Sequence, residues 1–408
     1  MVRRHALAPA GEVFRLIRGG EATTRADIAS LTGMSRTAVA LRVSQLLEQG
    51  LVVERTDGPS TGGRPPSRLE FYASGGVVLA ASVGASRTQL AVCDLTGKIL
   101  AEDVLETDGR EGPDAVLPEV AGRLDQLLAG SAHARDTVRG IGVSVPGSVD
   151  VETGRMVSPL VLPGWDGVAI PPYFTNHFAV PVLVDNDVNV MTLGEYRTQY
   201  DTQHVPPVGD LLFVKASTGI GAGIMSGGRL QRGALGAAGE IGHIRVYDGG
   251  GAVCRCGNVD CLEAVASGWA LARRLSESGH AVDGVRGVVE FVRAGDHEAL
   301  RLVREAGRRI GEVLAAAVNL LNPAFVVIGG DLAHVYDPLV AGLREVLYQR
   351  STTLATRYLQ ILPSVLDERA GIIGCAFMVL EEVLSPRSID AALAAAPTEV
   401  DRPDQLTD

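Results

Sequence analysis

Two stretches far apart in the chain repeat one pattern: an apolar run, a loop of glycine and small hydroxyl residues, a second apolar run and a turn. They are "VVLAASVGASRTQLAVCDLTG" from Val77 and "DLLFVKASTGIGAGIMSGG" from Asp210. Each reads as a strand, a tight glycine turn and a returning strand, with Gly84 and Gly97 at the bends of the first. A pattern that returns in this way predicts a body of two related halves. Around the two copies, "VRGIGVSVPG", "RLVREAGRRIGEVLAAAVNLLNP" and "AFVVIGGDL" alternate strand with helix, so the body is α/β. At 408 residues the chain exceeds one ordinary core and fits two or three domains.

The first 70 residues have a different character. "GEVFRLIRGG" places Val13, Leu16 and Ile17 on one helical face and stops at two glycines. Thr24 can cap a second helix carrying Ile28, Ala29 and Leu31, which Gly33 breaks; Ser35 caps a third, with Val39, Val43, Leu46 and Leu47 inward. Two short helices about a glycine turn match a helix-turn-helix, whose second helix enters the major groove by its N-terminal residues. Ser35, Arg36, Thr37 and Arg42 are the candidate DNA contacts. "LVVER", the loop "TDGPSTGGRPPS" and "RLEFYA" read as a wing with Arg64 at its tip, beside a phosphate or the minor groove. Two amphipathic helices also suit a small packing domain; the order of elements, the wing and the charge together favour DNA binding.

Charge supports that division. The chain carries −11 overall, which excludes a protein coated all over in nucleic acid. Residues 1–70, however, hold ten Arg against seven acids, a balance of +3, leaving −14 on the other 338 residues. Only two lysines occur, Lys98 and Lys215, and no site is drawn from them. There is no apolar signal core at the N-terminus and no run of the roughly 18 apolar residues that a membrane helix needs. The expectation is a soluble cytoplasmic protein. The tail from about Ser388 is expected to be disordered.

Three of the five cysteines fall within eight residues, in "HIRVYDGGGAVCRCGNVDCLE". That density reads as metal ligation rather than a disulfide framework. His243, Cys254, Cys256 and Cys261 supply an imidazole and three thiolates, a set that suits tetrahedral, structural zinc. Cys93 and Cys375, alone within apolar runs, read as core residues.

Together these motifs resemble the ROK family of repressors, open reading frames and kinases, over nearly the whole chain. The resemblance implies a two-lobed, actin-like sugar-kinase body of the ribonuclease H-like class behind a winged helix-turn-helix. The implied division is 1–72 for the DNA-binding domain, 73–387 for the body with its zinc loop at about 243–263, and 388–408 for the tail. The family's zinc motif has glycine where this chain has Asp260. Its sugar contacts map onto Gly147, Asn186, Asp187, Glu240, His243 and Glu263, in "VPG", "VDNDVNV", "GEIGH" and "CLEAVAS". His243 thereby faces both the metal and a sugar hydroxyl. In the family's kinases the acid equivalent to Asp187 takes the proton from the attacking hydroxyl.

The family's first phosphate loop is Asp-x-Gly-Gly-Thr, and here it runs Ser82, Val83, Gly84, Ala85, Ser86, without the acid. The second loop, with Thr218, Gly219 and Gly221, stays close to the family pattern. The expectation is therefore a sugar-responsive regulator, a repressor, working on operator DNA as a homodimer or tetramer, with a disabled nucleotide site. The alternative is an ATP-dependent hexose or N-acetylhexosamine kinase using Mg-ATP. A third reading has the body bind a partner protein in place of a sugar.

Overall fold

A computed structural model describes residues 9–55, 67–201 and 208–395. The duplicated sequence pattern is a duplicated topology. In the first lobe the strands lie in the order Ile99–Glu106, Arg87–Asp94, Val77–Val83, Val138–Val145 and Val182–Asn186. The first three are antiparallel neighbours; the last two run parallel to Val77–Val83. In the second lobe Arg229–Leu230, Ile220–Ser226, Leu211–Ala216, Phe325–Gly329 and Gln360–Pro363 repeat that order and those directions. Burial follows position. The interior strand Phe325–Gly329 is buried at every residue, whereas the outer strand Ile99–Glu106 alternates half-buried and exposed.

Two helices on one face of the first sheet position the site. The cleft helix Asp187–Glu195 and the return helix Ala370–Val383 pack against each other through glycine. A Cβ on Gly374 would lie 1.8 Å from Val190 O, and one on Gly194 would lie 2.6 Å from Ala370 O. The return helix also meets the sheet closely, since a Cβ on Gly142 would fall 2.3 Å from Cys375 O. Cys93 and Cys375 are buried in this core, and burial pushes both thiols up to about 12.

The N-terminal helices Ala10–Arg18, Arg25–Thr32 and Arg36–Glu48 form as their caps and spacing predict. Thr24 makes a reciprocal capping box with Asp27, and Gly33 closes that helix at φ +70°. Val13, Phe14, Ile28, Val39, Val43 and Leu46 are buried together in a core that runs on without a break into the first lobe. Leu31, by contrast, is exposed and Leu47 half-buried. Val52–Arg55 pairs antiparallel with Arg68–Phe71, the two strands of the expected wing; its tip, with Arg64, lies outside the described residues. The expectation of a disordered tail from 388 is corrected over 388–395, which belong to the helix Pro386–Ala395 packed on the first helix. The sequence shows why in hindsight: Ile389 and Leu393 lie four apart and meet the same core. Residues 396–408 are outside the described set. Among the described residues no helix is long and apolar enough to cross a membrane.

Candidate sugar cleft, metal centre and DNA-reading helix

Strand ends of both lobes open onto one cleft. Its walls include Ser82, Gly84 and Arg87 from the first lobe, Lys215, Ser217 and Asp331 from the second, and Asp187 at the start of the cleft helix. Lys215 Nζ stands 2.5 Å from Asp187 Oδ2, an ion pair that spans the two lobes. Ser82 Oγ accepts a 3.0 Å bond from Ser144 Oγ at the cleft floor. The Ser217 hydroxyl donates to the Asp331 carboxylate, setting an acid against the second glycine loop.

The remaining expected sugar residues form a connected group. Asn186 Nδ2 donates to Gly147 O at 2.9 Å, and Gly147 needs the φ of +116° that it adopts. Glu240 is exposed, and its Oε1 accepts from Ser148 Oγ at 3.1 Å while Oε2 lies 4.0 Å from His243 Nε2. Two residues have prior engagements. Asn186 Oδ1 caps the cleft helix by accepting from Val188 N and Asn189 N at 2.8 and 3.3 Å. Glu263 is buried, with one oxygen on Ile220 N at 3.1 Å and the other on Arg255 Nη2 at 2.9 Å. Gly219 is confined by that carboxylate and Gly221 by Val188, while Ser86 and Thr218 are exposed.

His243, Cys254, Cys256 and Cys261 converge, with all four ligand atoms within 4.8 Å of one another. They form a cluster that could hold a metal ion. The His243 Nδ1 edge faces Cys254 Sγ at 3.7 Å, leaving Nε2 toward Glu240. Burial pushes the Cys254 thiol up and the Cys261 thiol up to about 12. At Cys256 burial acts the same way but is outweighed by hydrogen bonds from Asn258 and the neighbouring thiols, so its thiol lies below the ordinary value. Burial keeps two of the three sulfurs as thiols, and ionised together at this spacing they would need a cation. Asp260 takes φ +61°, a glycine-like conformation, and is held there by its own bonds, accepting from Gly251 N at 2.8 Å and Arg245 Nη2 at 3.3 Å.

In the third helix Ser35 Oγ is the N-cap, accepting from Ala38 N at 3.3 Å, so Arg36 and Thr37 begin the helix as exposed side chains. Arg42, one turn and a half further on, is half-buried and donates to Gln45 Oε1 at 3.0 Å.

The model of the ROK family matches residues 78–382. The chain belongs to the ROK family. Among ROK relatives, a xylose repressor of Caldicellulosiruptor bescii is 28% identical over 391 residues, covering 91% of this chain and 95% of its own. A ROK family transcriptional regulator, described as a homologue of the Escherichia coli MLC protein, superposes with a TM-score of 0.78 over 94% of this chain and 98% of its own; at 24% identity it bears on the fold alone. A ROK family glucokinase from Streptomyces griseus, solved with glucose and AMPPNP, is 27% identical with a TM-score of 0.62. It covers 74% of this chain and 99% of its own.

Sequence reasoning missed four residues that bond to the expected site residues or line the cleft beside them: Lys215, Ser148, Arg255 and Asp331. A signal existed for two. Lys215 is one of only two lysines in the chain, and Arg255 stands between the two cysteines of the C-x-C pair.

Proposed function

We propose that this ROK chain is a sugar-responsive, DNA-binding transcriptional repressor whose body binds a sugar or sugar derivative and no longer transfers phosphate. The observation that carries this reading is Ser82. It occupies the acid's place in the family's first phosphate loop, and its hydroxyl is bonded to Ser144 instead of offering charge to Mg²⁺. The xylose repressor match covers 91% of this chain, more than the body alone, and supports the same conclusion. Residues 1–72 take operator DNA, with Arg36 and Thr37 reaching base edges and Arg64 beside a phosphate or the minor groove. The protein acts in the cytoplasm as a homodimer on two half-sites.

In the cleft, Asp187 and Glu240 are the carboxylates that accept from sugar hydroxyls, and His243 offers Nε2 from the opposite side of the metal. Gly147 and Asn186 form the floor, and Glu263 acts through Ile220 N–H and Arg255 to hold the second loop. The metal is zinc. A tetrahedron with Zn–S bonds of about 2.3 Å has edges of about 3.8 Å, and Cys256 Sγ to Cys261 Sγ is 3.7 Å. Four protein donors close its coordination, so it braces the loop and supplies no activated water.

The test is a thermal-shift panel of xylose, glucose, N-acetylglucosamine and the 6-phosphates of the last two, followed by operator binding with and without the best ligand. At least one sugar should raise Tm and change operator affinity. In Glu240→Gln that response should fall by about tenfold or more in sugar concentration, the loss of one charged hydrogen bond of about 1.5–3 kcal/mol, with sugar-free operator binding unchanged. A panel without effect would sink the sugar reading and favour a protein partner.

The kinase alternative draws on Asp187 and the second loop. Against it, Asp187 is paired with Lys215, and Asp331 places negative charge beside Ser217 where phosphate would approach. Calorimetric titration with Mg-ATP, alone and with the sugar panel, should give no heat up to several millimolar. Saturable one-site binding would overturn that and require a search for ADP.

A further inference from the structure

The first helix of the DNA-binding domain lacks a cap of its own, since Pro9 precedes it and offers no side-chain bond. The cap comes from the far end of the chain. Gly11 N donates to Asp390 Oδ1 at 2.9 Å, across 379 residues of sequence, from the helix Pro386–Ala395. A carboxylate at that place satisfies a free N–H and complements the helix dipole. The contact also depends on glycine, because a Cβ on Gly11 would lie 2.0 Å from Pro386 O. Ile389, 2% exposed, and half-buried Leu393 complete the seal.

This helix is tied to the cleft. Only Leu384 and Ser385 separate it from the return helix, and Ser388 Oγ bonds back to Glu382 Oε1 at 3.1 Å. The return helix starts beside the cleft, where a Cβ on Gly371 would lie 2.4 Å from Ser82 Oγ. It is locked to the cleft helix by the Gly194 and Gly374 contacts, so the two helices shift together or not at all. The cleft helix begins at Asp187 and ends in the π-turn Tyr196–Tyr200, whose Arg197 pairs with Glu381 of the return helix at 2.5 Å. A second attachment of the DNA-binding domain lies near the chain connection. There Arg139 Nη2 donates to Gln49 O at 2.7 Å and Gly75 O at 2.9 Å. The domain is therefore held at two separate places, by Arg139 near the connection and by Asp390 at Gly11.

We propose that the helix Pro386–Ala395 is a latch, closed in this structure, through which occupancy of the sugar cleft sets the placement of the DNA-binding domain, with the Asp390 carboxylate on Gly11 as its catch. The latch rests on the sugar-responsive reading above, whose ligand-facing residues it does not include.

Asp390→Ala, Asp390→Asn and Gly11→Val in the full chain test it, using the panel sugar that most raises Tm. The readout is the ratio of operator Kd with and without that sugar. In Asp390→Ala and Gly11→Val the ratio should collapse to within about twofold of one, from the roughly 5- to 150-fold typical of such coupling. Sugar affinity of the DNA-free protein should stay within about threefold. Asp390→Asn, which keeps an acceptor oxygen, should restore part of the ratio. An operator affinity altered equally with and without sugar, at an unchanged ratio, would make Asp390 a structural cap and end the latch proposal. Should no panel sugar act on the native protein, the sugar reading fails separately, and hydrogen exchange then decides the latch. Operator binding should change protection at 386–395 in the native protein and leave it unchanged in Asp390→Ala; no operator-dependent change in the native protein overturns the proposal.

Discussion

A Cys254→Ser, Cys256→Ser variant should contain no zinc, where the native chain should carry one ion per chain by elemental mass spectrometry. Two hydroxyls in place of two thiolates leave only His243 and Cys261 as donors, too few for a closed tetrahedral site. The consequence reaches the sugar through His243, whose Nδ1 faces the cluster and whose Nε2 faces Glu240. Without the ion nothing fixes the ring, and the loop 243–263 loses the anchor that aligns Arg255 on Glu263. Sugar affinity should therefore fall about 100-fold, the loss of two hydrogen bonds of about 1.5 kcal/mol each. Operator binding without sugar should persist, because the helix-turn-helix core is built from other residues. Unchanged zinc content would remove the ligand assignment.

Arg36→Ala should weaken operator binding by about 1–3 kcal/mol, roughly 5- to 150-fold, and leave sugar affinity unchanged. Arg36 is the first residue of the helix capped by Ser35, exposed where such a helix meets base edges. Fluorescence anisotropy with operator DNA and calorimetry with the sugar separate the two effects. Loss of both would show that Arg36 supports the fold as a whole, contrary to the two-module scheme.

The helix-turn-helix, the duplicated sheet and the convergent His/Cys cluster were legible in the sequence. Each rests on short-range rules: period-two apolar runs broken by glycine, caps at fixed offsets, and donors close together in one loop. Asp260 marks the boundary of that legibility. Its substitution for glycine is visible in sequence, but its accommodation at φ +61° depends on the Gly251 and Arg245 bonds.

What the sequence by itself determined was the set of local structures and their chemistry: helices about Gly33, strands about Gly84 and Gly219, and one imidazole with three thiols in one loop. Only the tertiary structure decided which distant groups meet. It paired Lys215 with Asp187, turned Glu263 inward onto Ile220, and brought Asp390 to Gly11. The physical reason is that spacing rules act within a few residues of chain, whereas these contacts arise when packed helices and sheets approach at glycines and carry remote side chains together.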